Sequence, residues 1–177
     1  MKTANILIAG FGGQGALFAG KFLAYSAMLE GRELSWLPSY GPEMRGGTAN
    51  CSVIISDSPV GTPIVSHPDI LIAMNKPSFD KYVPECVPGA KVIYDSTLID
   101  SPCDRDDVEF IPVPATELAR GLNIASLSNI ILVGKMLKET GVINYENVPT
   151  VLSKLIPAKK AAMIELNQLA VKTGYEY

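Results

Sequence analysis

The sequence predicts a single α/β domain: a mostly parallel sheet with helices on both faces and a helical C-terminal portion. Three observations carry this expectation. Before residue 114, short apolar runs alternate with segments of helical periodicity, the pattern of strand–helix–strand crossovers. The runs "ANILIA", "DILIA" and "AKVIY" are apolar at successive positions, as in strands buried on both faces. At 177 residues and 47% hydrophobic content, the chain has material for one sizeable core but not for separate cofactor and substrate domains. It contains no repeat, low-complexity segment or linker, so residues 1–177 are expected to form one domain.

Residues 4–9 predict a short buried strand that runs through a glycine turn into "GALFAGKFLAYSAMLEG", residues 15–31. There Leu17, Leu23, Ala24, Ala27 and Met28 recur at helical spacing, and Gly31 stops the helix. "ELSWLPS" (33–39) and "TANCSVIIS" (48–56) are the next two strands. "DILIAMN" (69–75) is another, followed by Pro77 and a short helix through Phe79 and Tyr82. Residues 90–96 and 108–114 supply two more strands. After Pro114 the pattern turns helical over 115–122, 126–141, 144–156 and 158–174, with glycine or proline between segments. These helices are expected to pack on the sheet.

Composition excludes several function classes. A net charge of −3, a pI near 5.2 and the lack of any block of like charges argue against a nucleic-acid partner. No stretch approaches the roughly 20 apolar residues that span a bilayer. The start "MKTANILIAG" lacks a secretory apolar region, so a cytoplasmic protein without a membrane partner is expected. Cys51, Cys86 and Cys103 stand far apart without CxxC spacing. That pattern opposes a disulfide framework, and equally a zinc ion or iron–sulfur cluster held by this chain alone. Cys51 fits a buried strand position, and the lone His67 fits an ordinary surface side chain before a proline.

"GFGGQGALFAG", residues 10–20, places Gly10, Gly12 and Gly15 in the spacing of a dinucleotide-binding turn. Backbone N–H groups at a helix N-terminus suit a phosphate or carboxylate. In that role Gly10 permits the tight turn, Gly12 the close approach of a ligand and Gly15 close helix–strand packing. The full fingerprint also needs an acid at the end of the second strand. Here that end offers Ser39 and Tyr40, with Glu30 and Glu33 before it and Glu43 further on in the loop. Gly13–Gln14 adds an amide at the helix entrance. An NAD(P)-binding enzyme, or a nucleotide-sensing module without chemistry, stands as the alternative that this turn allows.

The loop "SYGPEMRGGTANC", residues 39–51, is the most unusual stretch. It should emerge at the C-terminal end of the second strand, beside the Gly10–Gly15 turn, on the edge where open α/β sheets bind ligands and partners. A solvated loop with an ordinary Arg45–Glu43 pair is its plainer reading. Elsewhere Asn75 and Lys76 point to the same sheet edge or to a helix start, Asp95 and Thr97 to that edge or, by default, to a cap or turn, Ser126 to an N-cap, and Lys159–Lys160 to a solvated helix face.

The order of "GFGGQGALFAGKFLAYSAMLEG", "PSYGPEMRGGTANCSVIISDSPV" and "DILIAMNKPSFDKY" resembles the gamma subunit of 2-oxoacid:ferredoxin oxidoreductases. The same unit forms the gamma domain of pyruvate:ferredoxin oxidoreductase. The resemblance runs over nearly the whole chain, and "SYGPEMRGGTANC" is similar to the 2-oxoglutarate and branched-chain 2-oxoacid types. It implies a subunit of an enzyme that decarboxylates a 2-oxoacid on thiamine diphosphate with Mg2+. Two electrons pass through iron–sulfur clusters to ferredoxin, and the acyl group passes to coenzyme A. The resemblance places thiamine diphosphate between alpha and beta chains and the clusters in beta or ferredoxin-like delta chains. It leaves this chain without a catalytic residue or a cofactor of its own, and inactive in isolation. It further implies one continuous surface facing those partners or the coenzyme A approach. That surface comprises Gly10, Gly12, Gly13, Gln14, Gly15, Ser39, Tyr40, Gly41, Glu43, Met44, Arg45, Gly46 and Gly47, with Arg45 as its anchor.

Overall fold

The computed structural model describes residues 3–39, 48–100 and 103–177. Among these residues, six strands build one sheet: β1 (Ala4–Phe11), β2 (Glu33–Ser39), β3 (Thr48–Ser56), β4 (Ile70–Ala73), β5 (Lys91–Asp95) and β6 (Glu109–Val113). Their order is β2-β3-β1-β4-β5-β6. β1, β4, β5 and β6 pair in parallel, whereas β3 lies antiparallel between β1 and β2. β2 therefore runs in the direction of β1, and of these six strands β3 alone is reversed. A short connection can return a chain only antiparallel, while parallel neighbours need a crossover.

Six helices among the described residues accompany the sheet: α1 (Ala16–Leu29), α2 (Lys76–Tyr82), α3 (Ala115–Gly121), α4 (Ser128–Thr140), α5 (Val148–Leu155) and α6 (Ala161–Glu176). They cover both faces, as expected, but unequally. On one face Ile6 and Ile8 of β1 pack with Phe22 and Leu23 of α1 and with residues of all four C-terminal helices. On the other, Leu7, Leu71 and Val92 meet Phe79 from α2 and Val83 from the 3-10 turn that follows it. Each strand thus needs apolar residues on both sides, which is why Ile6, Leu7, Ile8 and Ala9 are all buried in succession.

Several local expectations need correction. Met28 does not join the buried stripe of α1 and is 52% exposed. The stripe runs through Ala16, Ala19, Phe22, Leu23, Ser26 and Ala27, and Met28 lies one residue, about 100°, beyond its last member. Ser126 does not cap α4: it belongs to a 3-10 turn, Ala125–Leu127, and neither that turn nor α4 has a side-chain cap bond. Lys159 and Lys160 are exposed as expected, but on a 3-10 turn, Ala158–Lys160, that precedes α6. Gly174 does not end the last helix, which continues to Glu176.

Candidate functional site

The sheet register brings the sequence motifs to one edge. Ser39 at the end of β2 lies opposite Asn50 of β3, and Asn50 opposite Ala9 of β1. Thr48, where β3 begins, pairs with Phe11 at the end of β1. Both flanks of the 40–47 segment therefore lie on the edge that carries the glycine turn. Tyr40, Gly41, Glu43, Met44, Arg45, Gly46 and Gly47 themselves lie outside the described residues.

The turn is closed by its own glutamine. The Phe11 N–H donates to Gln14 Oε1 at 2.6 Å, and Asn75 Nδ2 donates to the same oxygen at 2.9 Å. Gln14 Nε2 in turn donates to the Met74 carbonyl at 3.2 Å, tying the end of β1 to the end of β4. In a dinucleotide turn the freed backbone N–H groups face a phosphate; here Gln14 occupies the Phe11 donor. Gly10 makes this possible, because a Cβ there would stand 2.8 Å from Gln14 Oε1 and 3.0 Å from Met74 Cβ.

Gly13 (φ 94°) and Gly15 (φ 82°) adopt left-handed backbone that side chains resist. Gly15 also lies against Asn129 of α4, whose Nδ2 donates to the Gly15 carbonyl at 3.1 Å. The close helix–strand approach expected at Gly15 occurs instead at Gly20, where a Cβ would collide with Cys51 Sγ and reach Trp36 Nε1 at 3.0 Å. α1 meets β3 from its first residue, where Cys51 Sγ donates to the Ala16 carbonyl at 3.3 Å, and one turn on Gly20 seats against the same thiol. Among the described residues of this edge, Phe11, Gly12, Gly13 and Ser39 are exposed.

Neighbouring residues serve the edge's construction. Asn75 Oδ1 accepts from the Ser78 N–H at 2.9 Å and caps α2, as the sequence indicated. Its second bond, to Gln14, was not legible, because the two residues stand 61 positions apart. Asp95 is 2% exposed and accepts from the backbone N–H of Thr97 and of Thr116, joining the end of β5 to the start of α3. Its turn role is the one expected. Lys76 pairs with Asp80 one helical turn on, at the surface.

Two of the three thiols, Cys51 and Cys86, are buried. Burial pushes Cys51 up to about 12, against a smaller opposing pull from Trp36 and the Gly20 backbone, and pushes Cys86 up to about 11. Such cysteines stay protonated, whereas cluster ligands are thiolates. Among the described residues, no group of three or more His, Cys, Asp and Glu side chains could hold a metal ion. His67 is exposed, with its ring 3.9 Å from Glu85. No helix among the described residues is long and apolar enough to cross a membrane.

Residues 5–177 match the family model for pyruvate ferredoxin/flavodoxin oxidoreductase. The chain is 40% identical to the ketoisovalerate oxidoreductase subunit VorA of Methanothermobacter thermautotrophicus, over 98% of this chain but 36% of that protein. It thus spans about a third of that longer relative. It is 33% identical to the 2-oxoglutarate synthase subunit KorC of Methanocaldococcus jannaschii, over 97% of this chain and 92% of that one. The fold matches the crystal structure of the gamma subunit of a keto/oxoacid ferredoxin oxidoreductase from Geobacter sulfurreducens. That match has a TM-score of 0.84 and 28% identity, and covers 98% of this chain and 96% of the other.

Proposed function

The chain belongs to the pyruvate ferredoxin/flavodoxin oxidoreductase family, and from that premise we propose that it is the non-catalytic gamma subunit of a 2-oxoacid:ferredoxin oxidoreductase. The reading is that the assembled enzyme decarboxylates 2-oxoglutarate or a branched-chain 2-oxoacid to the acyl-CoA and reduces ferredoxin. The likeness to a ketoisovalerate and a 2-oxoglutarate enzyme supports that substrate class. Thiamine diphosphate, Mg2+ and iron–sulfur clusters belong to the alpha, beta and delta chains in this reading, and the complex works in the cytoplasm. This chain contributes a rigid edge on which the catalytic chains pack and past which coenzyme A approaches.

One observation carries the proposal: the glycine turn is filled by Gln14, whose amide takes the Phe11 N–H and ties β1 to β4. A turn stapled in this way serves as a fixed docking edge. It is poorly suited to a pyrophosphate, and the end of β2 offers Pro38 and Ser39 where a ribose would need an acid. The nucleotide alternatives therefore find no support in the geometry.

Co-expression with the alpha and beta chains that this reading requires tests it. The purified complex should contain this chain and reduce ferredoxin when given 2-oxoacid and coenzyme A. Micromolar binding of NADH or NADPH to the isolated chain, with turnover, would overturn it. Arg45→Ala in the complex tests the loop. A dissociated chain supports Arg45 as an interface anchor, and a raised KM for coenzyme A with intact assembly supports a phosphate contact. If neither changes, the loop has no such role.

A further inference from the structure

Cys86 and Cys103 belong to the smaller core, where Cys86 is 5% exposed and Cys103 is partly buried against the same apolar cluster. Both are free thiols. The sheet register brings them together. β5 and β6 pair in parallel with Lys91 opposite Glu109, an offset of 18 residues. The same offset holds before the strands begin, because the Gly89 N–H donates to the Asp107 carbonyl at 2.6 Å. Carried back along the chain, it sets Cys103 level with Glu85, next to Cys86. Arg105 fastens the two segments at this level. Its Nη1 donates to the Cys86 carbonyl at 2.8 Å and to the Val83 carbonyl at 2.9 Å. Its Nε and Nη2 hold the two carboxylate oxygens of Asp107 at 2.7 and 2.6 Å. Burial is the main cause that raises the Cys86 thiol to about 11; Arg105 opposes it and Cys103 adds to it, so both groups stand within electrostatic reach of that sulfur.

We propose that Cys86 and Cys103 form a dithiol that closes to an intrachain disulfide when a low-molecular-weight disulfide oxidises it, and reopens when a thiol reductant is supplied. The inference is independent of the gamma-subunit reading, because it concerns two residues of this chain alone. Cys103 is the less buried of the pair and meets the external disulfide first. Its thiolate attacks one sulfur, forming a mixed disulfide and releasing one external thiol. The Cys86 thiol then gives its proton to water and attacks the Cys103 sulfur, releasing the second external thiol. Two protein thiols are oxidised and one external disulfide is reduced to two thiols. Because Cys86 holds its proton well above the usual thiol range, the second attack is the slower one, and the mixed disulfide on Cys103 builds up before the bond closes. Closure adds a covalent tie to the bonds of Arg105, pinning the 3-10 turn after α2 against the segment that leads into β6. In reducing compartments protein disulfides are mostly transient and redox-sensing, which is the use this pair fits.

The full-length reduced chain, treated with oxidised glutathione at about pH 8, tests the proposal by mass spectrometry and peptide mapping. Glutathione should appear first on Cys103 and then leave as a Cys86–Cys103 bond forms, and dithiothreitol should restore both thiols. The closed form should melt about 5 °C or more above the open one. Cys86→Ser should stop at the mixed disulfide on Cys103. Cys103→Ser, at the less buried position, should fold, form no bond and show no rise in Tm with oxidant. A wild-type chain that stops at the mixed disulfide, links Cys103 to a second chain or stays unmodified would overturn the proposal, and so would a Tm that does not rise on closure.

Discussion

Where α4 crosses α6, glycine marks the complete absence of space, whereas Gly13 in the turn after β1 marks open space with an awkward backbone. A Cβ on Gly174 would overlap the Ile131 carbonyl oxygen, and one on Gly134 the Val171 carbonyl oxygen. The two helices touch backbone to backbone there. A Cβ on Gly13, in contrast, would meet nothing within 4 Å, and that position is constrained only by its φ of 94°. The interior glycines set how closely two helices pack, and Gly13 sets the path of an exposed turn. The first kind serves the fold, and the second serves whatever docks.

The largest expected effect breaks the interior kind. Gly174→Ala lies inside α6, where alanine should favour the helix by roughly 1 kcal/mol. The contact with Ile131 backbone reverses the sign, because no flexible side chain can yield. A loss of about 3 kcal/mol is expected, a fall of roughly 6–12 °C in Tm by calorimetry. A gain in Tm would show that the helix crossing is looser than described.

The same contrast explains what was legible in the sequence. β1 was legible because consecutive apolar residues need no partner to declare a doubly buried strand. Gly31 was legible as a helix stop, and Gly141 closes α4 in the same way; both take the positive φ that ends a helix. Gly174 looks the same in sequence but lies within the helix, because its meaning is set by α4. A glycine signals freedom locally, and only the packed structure shows whether that freedom is spent on a turn or on a contact. The glycine turn was legible as a turn, and Gln14 as its odd residue. Its partners Asn75 and Met74 were not, since both bonds reach across 60 positions or more. Asn129 gave no signal at all, standing 114 positions from Gly15 on a helix with an ordinary apolar pattern.

The next effect sharpens the edge side of the comparison. Gln14→Ala removes the acceptor for the Phe11 N–H and for Asn75 Nδ2, along with the donor to Met74. The turn is half exposed, so water replaces part of what is lost. A cost of about 1–3 kcal/mol is expected in chemical denaturation, with faster proteolysis near residues 11–14. The isolated chain should still fold. If stability is unchanged, the stapled turn contributes nothing to the rigidity of the edge.

Gly13→Ala tests conformation without contact. Its Cβ meets nothing, so the cost is the left-handed backbone alone, about 1–2 kcal/mol. The measured loss should be smaller than for Gly174→Ala, although both exchange glycine for alanine. Equal losses would mean that the turn is packed as tightly as the helix crossing.

The smallest effect at neutral pH appears only in alkali and belongs to the interior contact at Gly20. Cys51 lies against Gly20, fully buried, and its thiol is raised from 9.0 to about 12. Between those values the unfolded chain has lost a proton that the folded chain keeps, so stability falls as pH rises. The contribution is complete below pH 9 and declines through the range up to about 12. One pH unit into that window corresponds to about 1.4 kcal/mol. Denaturation at pH 7 and pH 10 should therefore show a drop that Cys51→Ala reduces by about 1 kcal/mol, whatever that substitution costs at neutral pH. Comparing the two slopes removes the cavity left by the missing sulfur and isolates the proton. An unchanged slope would mean that water reaches the space beneath α1, and that the close approach at Gly20 does not seal the core.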